Sequence, residues 1–163
     1  MTAQEQRAVF DAWVARWDPW PSERAWADSQ PSIGAAWDAC EDGRWLESYA
    51  KRLGFWAECD GVRTAFDAAM SAASLAYDAE RKASGQDAAM VAYDARVKAA
   101  RRSFAGVMRA AVSRRAAESA LSAWWDHEKA VTEKIQARRA ANGGVYRGAD
   151  DWSELPRRPE GSR

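Results

Sequence analysis

Histidine is nearly absent from this 163-residue chain, where His127 is the only one. Cysteine is almost as scarce: Cys40 and Cys59 stand alone, 19 residues apart, with no CxxC pair. That inventory leaves a zinc site dependent on unusual carboxylate ligands. It also excludes a di-iron bundle, which needs a Glu-x-x-His on each of two helices. Two thiols build no disulfide framework, so a reducing, cytoplasmic setting is expected. No apolar run approaches the roughly 20 residues of a bilayer span, and MTAQEQRAVF lacks a secretory apolar region, so no membrane association is expected. A phosphate-cradling loop is missing too, because Gly143-Gly144 and Gly148 follow a helical pattern rather than a strand. No metal and no cofactor is expected. His127 has Ala123, Ala130 and Val131 as its helical neighbours, none of them a nucleophile or an orienting carboxylate. The sequence therefore points away from an enzyme.

Proline is absent from residues 61–141, and nothing alternates with period two over a useful length, which argues against a sheet. What is present is helical periodicity. Val9, Phe10, Trp13, Val14 and Trp17 make one stripe, ended by Pro19 and Pro21. Ser22 offers a cap for a short helix that Pro31 closes, and Ser32 caps a third carrying Ile33, Ala36, Trp37 and Cys40. Glu41-Asp42-Gly43 reads as a turn, after which Arg44 to Leu53 is helical, with Gly54 as its stop. From Gly61 onward Val62, Phe66, Met70, Ala73 and Tyr77 form a long stripe broken at Ser84-Gly85. The pattern then resumes through Met90, Tyr93, Val97, Phe104 and Met108. One helix from Gln86 to Ala141 would run about 80 Å, too long for a compact domain, so a break is expected between Ser113 and Ser119.

The expected fold is all-α: a compact bundle of about six to eight helices, short and angular in the first half, long, Ala-rich and antiparallel in the second. One domain is expected over 1–144, divided into an acidic, Trp-rich subregion, 1–58, and a basic, Ala-rich hairpin or bundle, 59–144. A flexible tail, 145–163, is expected to follow, anchored by Trp152. The balanced charge, 24 basic against 24 acidic residues, conceals the asymmetry. Residues 1–60 hold 6 basic and 11 acidic side chains, and residues 61–140 hold 14 and 9.

Two features suggest binding. Between Arg96 and Arg115 there are seven basic residues and no acidic one. Lys98, Arg101, Arg102 and Arg109 fall opposite the apolar face of Val97, Phe104 and Met108, so with Arg96 they are expected to form a solvent-facing stripe. Such a stripe serves as a surface for phosphate or an acidic protein patch, as a plain solvated face, or as the complement of the acidic first half. Ten tryptophans are the second feature. Trp13, Trp17, Trp37, Trp45 and Trp124 keep helical spacing and read as core. Trp20, Trp26 and Trp56 fall in loops or short helices, where they act either as loop anchors or as interface hot spots.

The segment PSIGAAWDACEDGRWLESYAKRLG, Pro31 to Gly54, carries Ala36-Trp37-x-Ala39-Cys40-x-x-Gly43-x-Trp45-Leu46. That pattern resembles one in small Ala/Trp-rich bacterial and phage proteins similar to the immunity proteins of polymorphic toxin systems. The chain departs from it after Trp45, where Glu47-Ser48 replaces a second apolar pair. The resemblance implies a helical protein from a phage or a bacterial conflict locus, working as an immunity or anti-defence factor. The expected function is therefore stoichiometric inhibition of a protein partner, a toxin or a host defence complex. A second copy of the chain is a further candidate partner. The alternative is a nucleic-acid-associated protein using the Arg96–Arg115 stripe. Zero net charge weighs against it, since such affinity rests on neutralising phosphates.

Overall fold

A computed structural model describes residues 1–17 and 19–141. The last three residues of the expected domain, 142–144, the tail 145–163 and its Trp152 anchor lie outside the described residues. Among the described residues there are seven α-helices and no strand. They are α1 (Ala3–Ala15), α2 (Pro21–Asp28), α3 (Ile33–Ala39), α4 (Gly43–Arg52), α5 (Trp56–Ser84), α6 (Gln86–Ala111) and α7 (Arg114–Ala141).

The ends of these helices follow local chemistry. Thr2 Oγ1 accepts from the Glu5 N–H while Glu5 Oε2 accepts from the Thr2 N–H, a reciprocal cap on α1. Ser32 caps α3 through the Ala35 N–H and Asp42 caps α4 through the Arg44 N–H. Ser22 does not cap α2. The helix begins two residues earlier than a Ser22 cap implies, with Pro21 at its first position, where a missing N–H and a fixed φ are assets. Gly54 (φ +98°) ends α4 and Gly85 (φ +85°) forms the hairpin turn, both in the region that favours glycine.

Short α1–α4 gather around a core of Phe10, Trp13, Trp37, Leu46 and Tyr49, to which α6 adds Phe104, Ala105 and Met108 and α7 adds Ala117 and Leu121. Long α5 and α6 pack against each other through Phe66 and Phe104, whose rings stack at 4.6 Å, and through Tyr77 and Tyr93. The long helix breaks at Val112-Ser113, at the near edge of the expected interval. Val112 is buried and extended, and its carbonyl accepts from the Trp37 indole N–H at 3.0 Å, which fixes the elbow to α3. Helix α5 starts five residues before the expected Gly61. Cys59 is therefore a fully buried residue of α5, and Trp56 is helical rather than in a loop.

Gly43 has a different task from the turn expected of it. It is the first residue of α4, with no positive φ, and a Cβ there would lie 2.5 Å from the Ala105 nitrogen and 2.6 Å from the Phe104 carbonyl carbon. Its bare Cα lets α4 touch the α6 backbone.

Candidate binding surfaces

The basic segment is mostly occupied from within. Arg102 reaches back to Glu41 at 2.8 Å, Arg101 to Asp42 at 3.6 Å and Arg114 to Asp38 at 2.7 Å. Arg96 holds Glu80 in a two-pronged pair across the hairpin. Opposite guanidinium hydrogen bonds keep the exposed Glu80 carboxyl below its usual range and raise Arg96. Arg109 is half-buried, and its Nη1 donates to the Cys40 carbonyl at 2.7 Å and the Trp37 carbonyl at 3.4 Å, filling two open acceptors at the C-terminus of α3. The expectation of a solvent-facing stripe is thus corrected at Arg109 and at Arg101, whose Nε is buried. Lys98 is exposed, as the helical wheel places it.

The three tryptophans separate. Trp20 is 79% exposed at the start of α2, between two prolines. Trp26 is half-buried in α2, 5.5 Å from Trp45 and 6.3 Å from Tyr49 between ring centroids, so it belongs to the aromatic cluster. Trp56 opens α5 half-buried, with Lys51 Nζ 5.4 Å from its ring centre, and is no loop residue. His127 is half-buried on α7.

Both cysteines are buried thiols. Desolvation pushes Cys40 and Cys59 each up to about 11, which keeps them protonated and unreactive near neutrality. Among the described residues no three His, Cys, Asp or Glu side chains gather as metal ligands do, and no helix is long and apolar enough to cross a membrane.

Sequence reasoning missed two buried carboxylates. Glu47 lies between Lys51 at 2.9 Å and Arg63 at 2.5 Å. Glu23 is only 3% exposed, and its Oε1 has no hydrogen-bond partner. Desolvation pushes its carboxyl up to about 7, with Asp42 adding and Arg52 and Arg44 opposing. Burial, with help from the Glu23 charge, raises the Tyr49 hydroxyl as well. The signal for Glu23 was its position one turn before Ala27, on the inward stripe of α2.

An extended unfilled surface lies on the hairpin. No residue between Met70 and Ala100 joins the main core, so about 21 Å of α5 stands beyond it. Ala65, Ala69, Ala72, Ala76, Ala79 and Ala83 follow alternating steps of four and three along one side of α5. Ala88, Ala92, Ala95 and Ala99 do the same on the same side of α6. Between them runs an open groove of about 490 Å³ lined by Ala69, Ala72, Ala73, Arg96, Ala99, Ala100 and Ser103. Leu75 and Val91, each more than 70% exposed, occupy the backs of the two helices. No protein family, curated protein or solved structure matches this chain.

Proposed function

We propose that this is a non-enzymatic binding protein, and that its hairpin docks a helix of another protein. The observation that carries this reading is the alanine face of α5 and α6 beyond the core. Alanine in a heptad pattern leaves a shallow seam that a second helix approaches closely, with little side-chain entropy lost on docking. A solvated surface of that size is ordinarily built of charged side chains instead. Here the one charged residue lining the groove is Arg96, which Glu80 neutralises, while Asp67, Asp78, Arg81, Asp94 and Lys98 are exposed off the two alanine runs. The resemblance around Trp37, Cys40 and Trp45 suggests a toxin or a host defence complex as the partner, with the protein acting as an immunity or anti-defence inhibitor. The nucleic-acid alternative draws less support, because four of its arginines are engaged by Glu80, Asp42, Glu41 and the end of α3.

The test is in-cell crosslinking in the source organism with three chains: wild type, Ala72→Arg with Ala99→Arg, and Ser74→Arg. Both altered alanines are exposed and outside the core, so folding should survive. A partner held by wild type and Ser74→Arg and lost by the double variant supports the reading. Retention by all three, or the absence of any partner, defeats it. Light scattering of the purified chain shows whether that partner is a second copy.

A further inference from the structure

Three buried polar atoms without partners cluster in the hub: Glu23 Oε1, the Tyr49 hydroxyl and the Trp17 indole nitrogen. They are neighbours. The Tyr49 ring meets Trp17 at 5.5 Å and Trp26 at 6.3 Å, and the charge of Glu23 is the leading one acting on the Tyr49 hydroxyl. Buried polar groups in native proteins nearly always have a partner, so three orphans in one neighbourhood need an explanation. The surroundings narrow it. Trp17, Trp26, Trp45 and Tyr49 offer aromatic surface, the site borders solvent because the three indoles are each partly exposed, and the one charged orphan is a carboxylate. Aromatic faces attract cations through the ring quadrupole, and a buried carboxylate completes such a box with a counter-charge. Arg52 and Arg44 place positive charge near Glu23, and Asp42 offsets it with negative potential.

We propose that Glu23, Tyr49 and Trp17, walled by Trp26 and Trp45, form a binding site for an organic cation, an alkylammonium or guanidinium group. Arg52 shows that the chemistry is available. Its guanidinium lies 4.2 Å from the centre of the Trp17 ring, yet it leaves Glu23 Oε1 without a hydrogen bond. An incoming cation would bond to that oxygen and face the same aromatic wall, with Arg52 shifting along Trp17 to admit it. The site is on the hub, away from the alanine groove, so it stands or falls separately from the docking reading.

The experiment is a titration of the full chain with tetramethylammonium chloride and with methylguanidinium chloride, against sodium chloride at equal ionic strength. Tryptophan fluorescence reports on the box and melting temperature reports on binding to the folded state. The expected result is a saturable fluorescence change and a rise in melting temperature with at least one organic cation, beyond the sodium control. Which cation acts distinguishes an ammonium from a guanidinium site. Binding should weaken more than tenfold between pH 8 and pH 5.5 as the Glu23 carboxyl takes up its proton. Glu23→Gln should lose the response while remaining folded. The proposal is overturned if neither cation exceeds sodium, which would leave the orphan atoms to internal water. A wild-type response independent of pH, or an unchanged response in Glu23→Gln, overturns it equally.

Discussion

Replacing Gly43 by alanine adds one methyl group, and its effect follows from where that methyl must go. It would lie 2.5 Å from the backbone nitrogen of Ala105 and 2.6 Å from the carbonyl carbon of Phe104. Neither is a flexible side-chain end, so α4 has to move off α6 as a body. That movement also disturbs Leu46, Tyr49 and Met108, all fully buried. Overpacking a close-packed site costs about 1–3 kcal/mol, and a backbone collision belongs at the upper end of that range. For a chain of this length, each kcal/mol lowers the melting temperature by about 2–4 °C, so a fall of about 6–12 °C is expected. The same substitution at Gly61 is the internal control. Gly61 lies in α5 with nothing within 4 Å of an added Cβ, so alanine there gains helix propensity at no steric cost. A gain of about 0.5–1 kcal/mol is expected. Thermal unfolding followed by circular dichroism decides between the two. If Gly43→Ala melts within about 1 °C of wild type, or Gly61→Ala falls as far as Gly43→Ala, the close approach of α4 and α6 is not what Gly43 serves.

Arg109→Met should cost about 1.5–3 kcal/mol in urea unfolding, because it strips a charged donor from the Cys40 and Trp37 carbonyls, whereas Arg102→Met breaks only an exposed ion pair and should cost under about 1 kcal/mol. Equal losses would contradict that ranking. Glu23 binds its proton more tightly in the folded chain, at about 7 against an ordinary 4.5, so its contribution to stability is full below pH 4.5 and fades as pH rises through 7. Glu23→Gln should therefore match wild type at pH 4 and exceed it by up to about 3 kcal/mol at pH 8, read from urea midpoints across that range. Neither thiol should react with a disulfide reagent in the native chain near neutral pH, and both should react at the rate of unfolding. Fast labelling of one equivalent would show an open thiol.

Helix type and number were legible because periodicity and punctuation agreed: Pro19, Pro21 and Pro31 separate α1, α2 and α3, and Gly85 separates α5 from α6. The boundaries that went astray were decided by contacts distant in sequence. Nothing local marks Val112 as an elbow, since its carbonyl is drawn out by Trp37, 75 residues away. Gly61 looks like a helix start but lies inside α5, because Trp56 and Cys59 are held against α4, Trp56 by the Lys51 side chain and Cys59 near the Glu47 backbone carbonyl. The buried Glu23 escaped because an acidic residue on a short helix reads as solvated until its neighbours in space are known. The aromatic cluster around Tyr49 draws on α1, α2 and α4 together, which no single stretch of sequence displays.

The opposed charges of the two halves take on a specific meaning once the pairs are traced. Asp38, Glu41 and Asp42 come from one five-residue stretch, and their partners Arg114, Arg102 and Arg101 from one stretch of fourteen. Arg109 adds its bonds to the end of α3 between them. Exposed pairs of this kind contribute about 0–1 kcal/mol each, too little to hold the fold alone. Their joint effect is on register: sliding α6 by one turn would bring Arg102 away from Glu41 and leave Arg109 without its carbonyls, while Gly43 would meet a different backbone. Basic residues paired in this way are not available to a polyanion, whereas the alanine side of the hairpin stays an open groove. A partner that binds there meets an alanine seam with one neutralised ion pair, Arg96 with Glu80, whose orientation to the hub is set by those same arginines. Weakening the register, as in Arg101→Met with Arg102→Met, should therefore reduce partner binding even though neither residue lies on the seam.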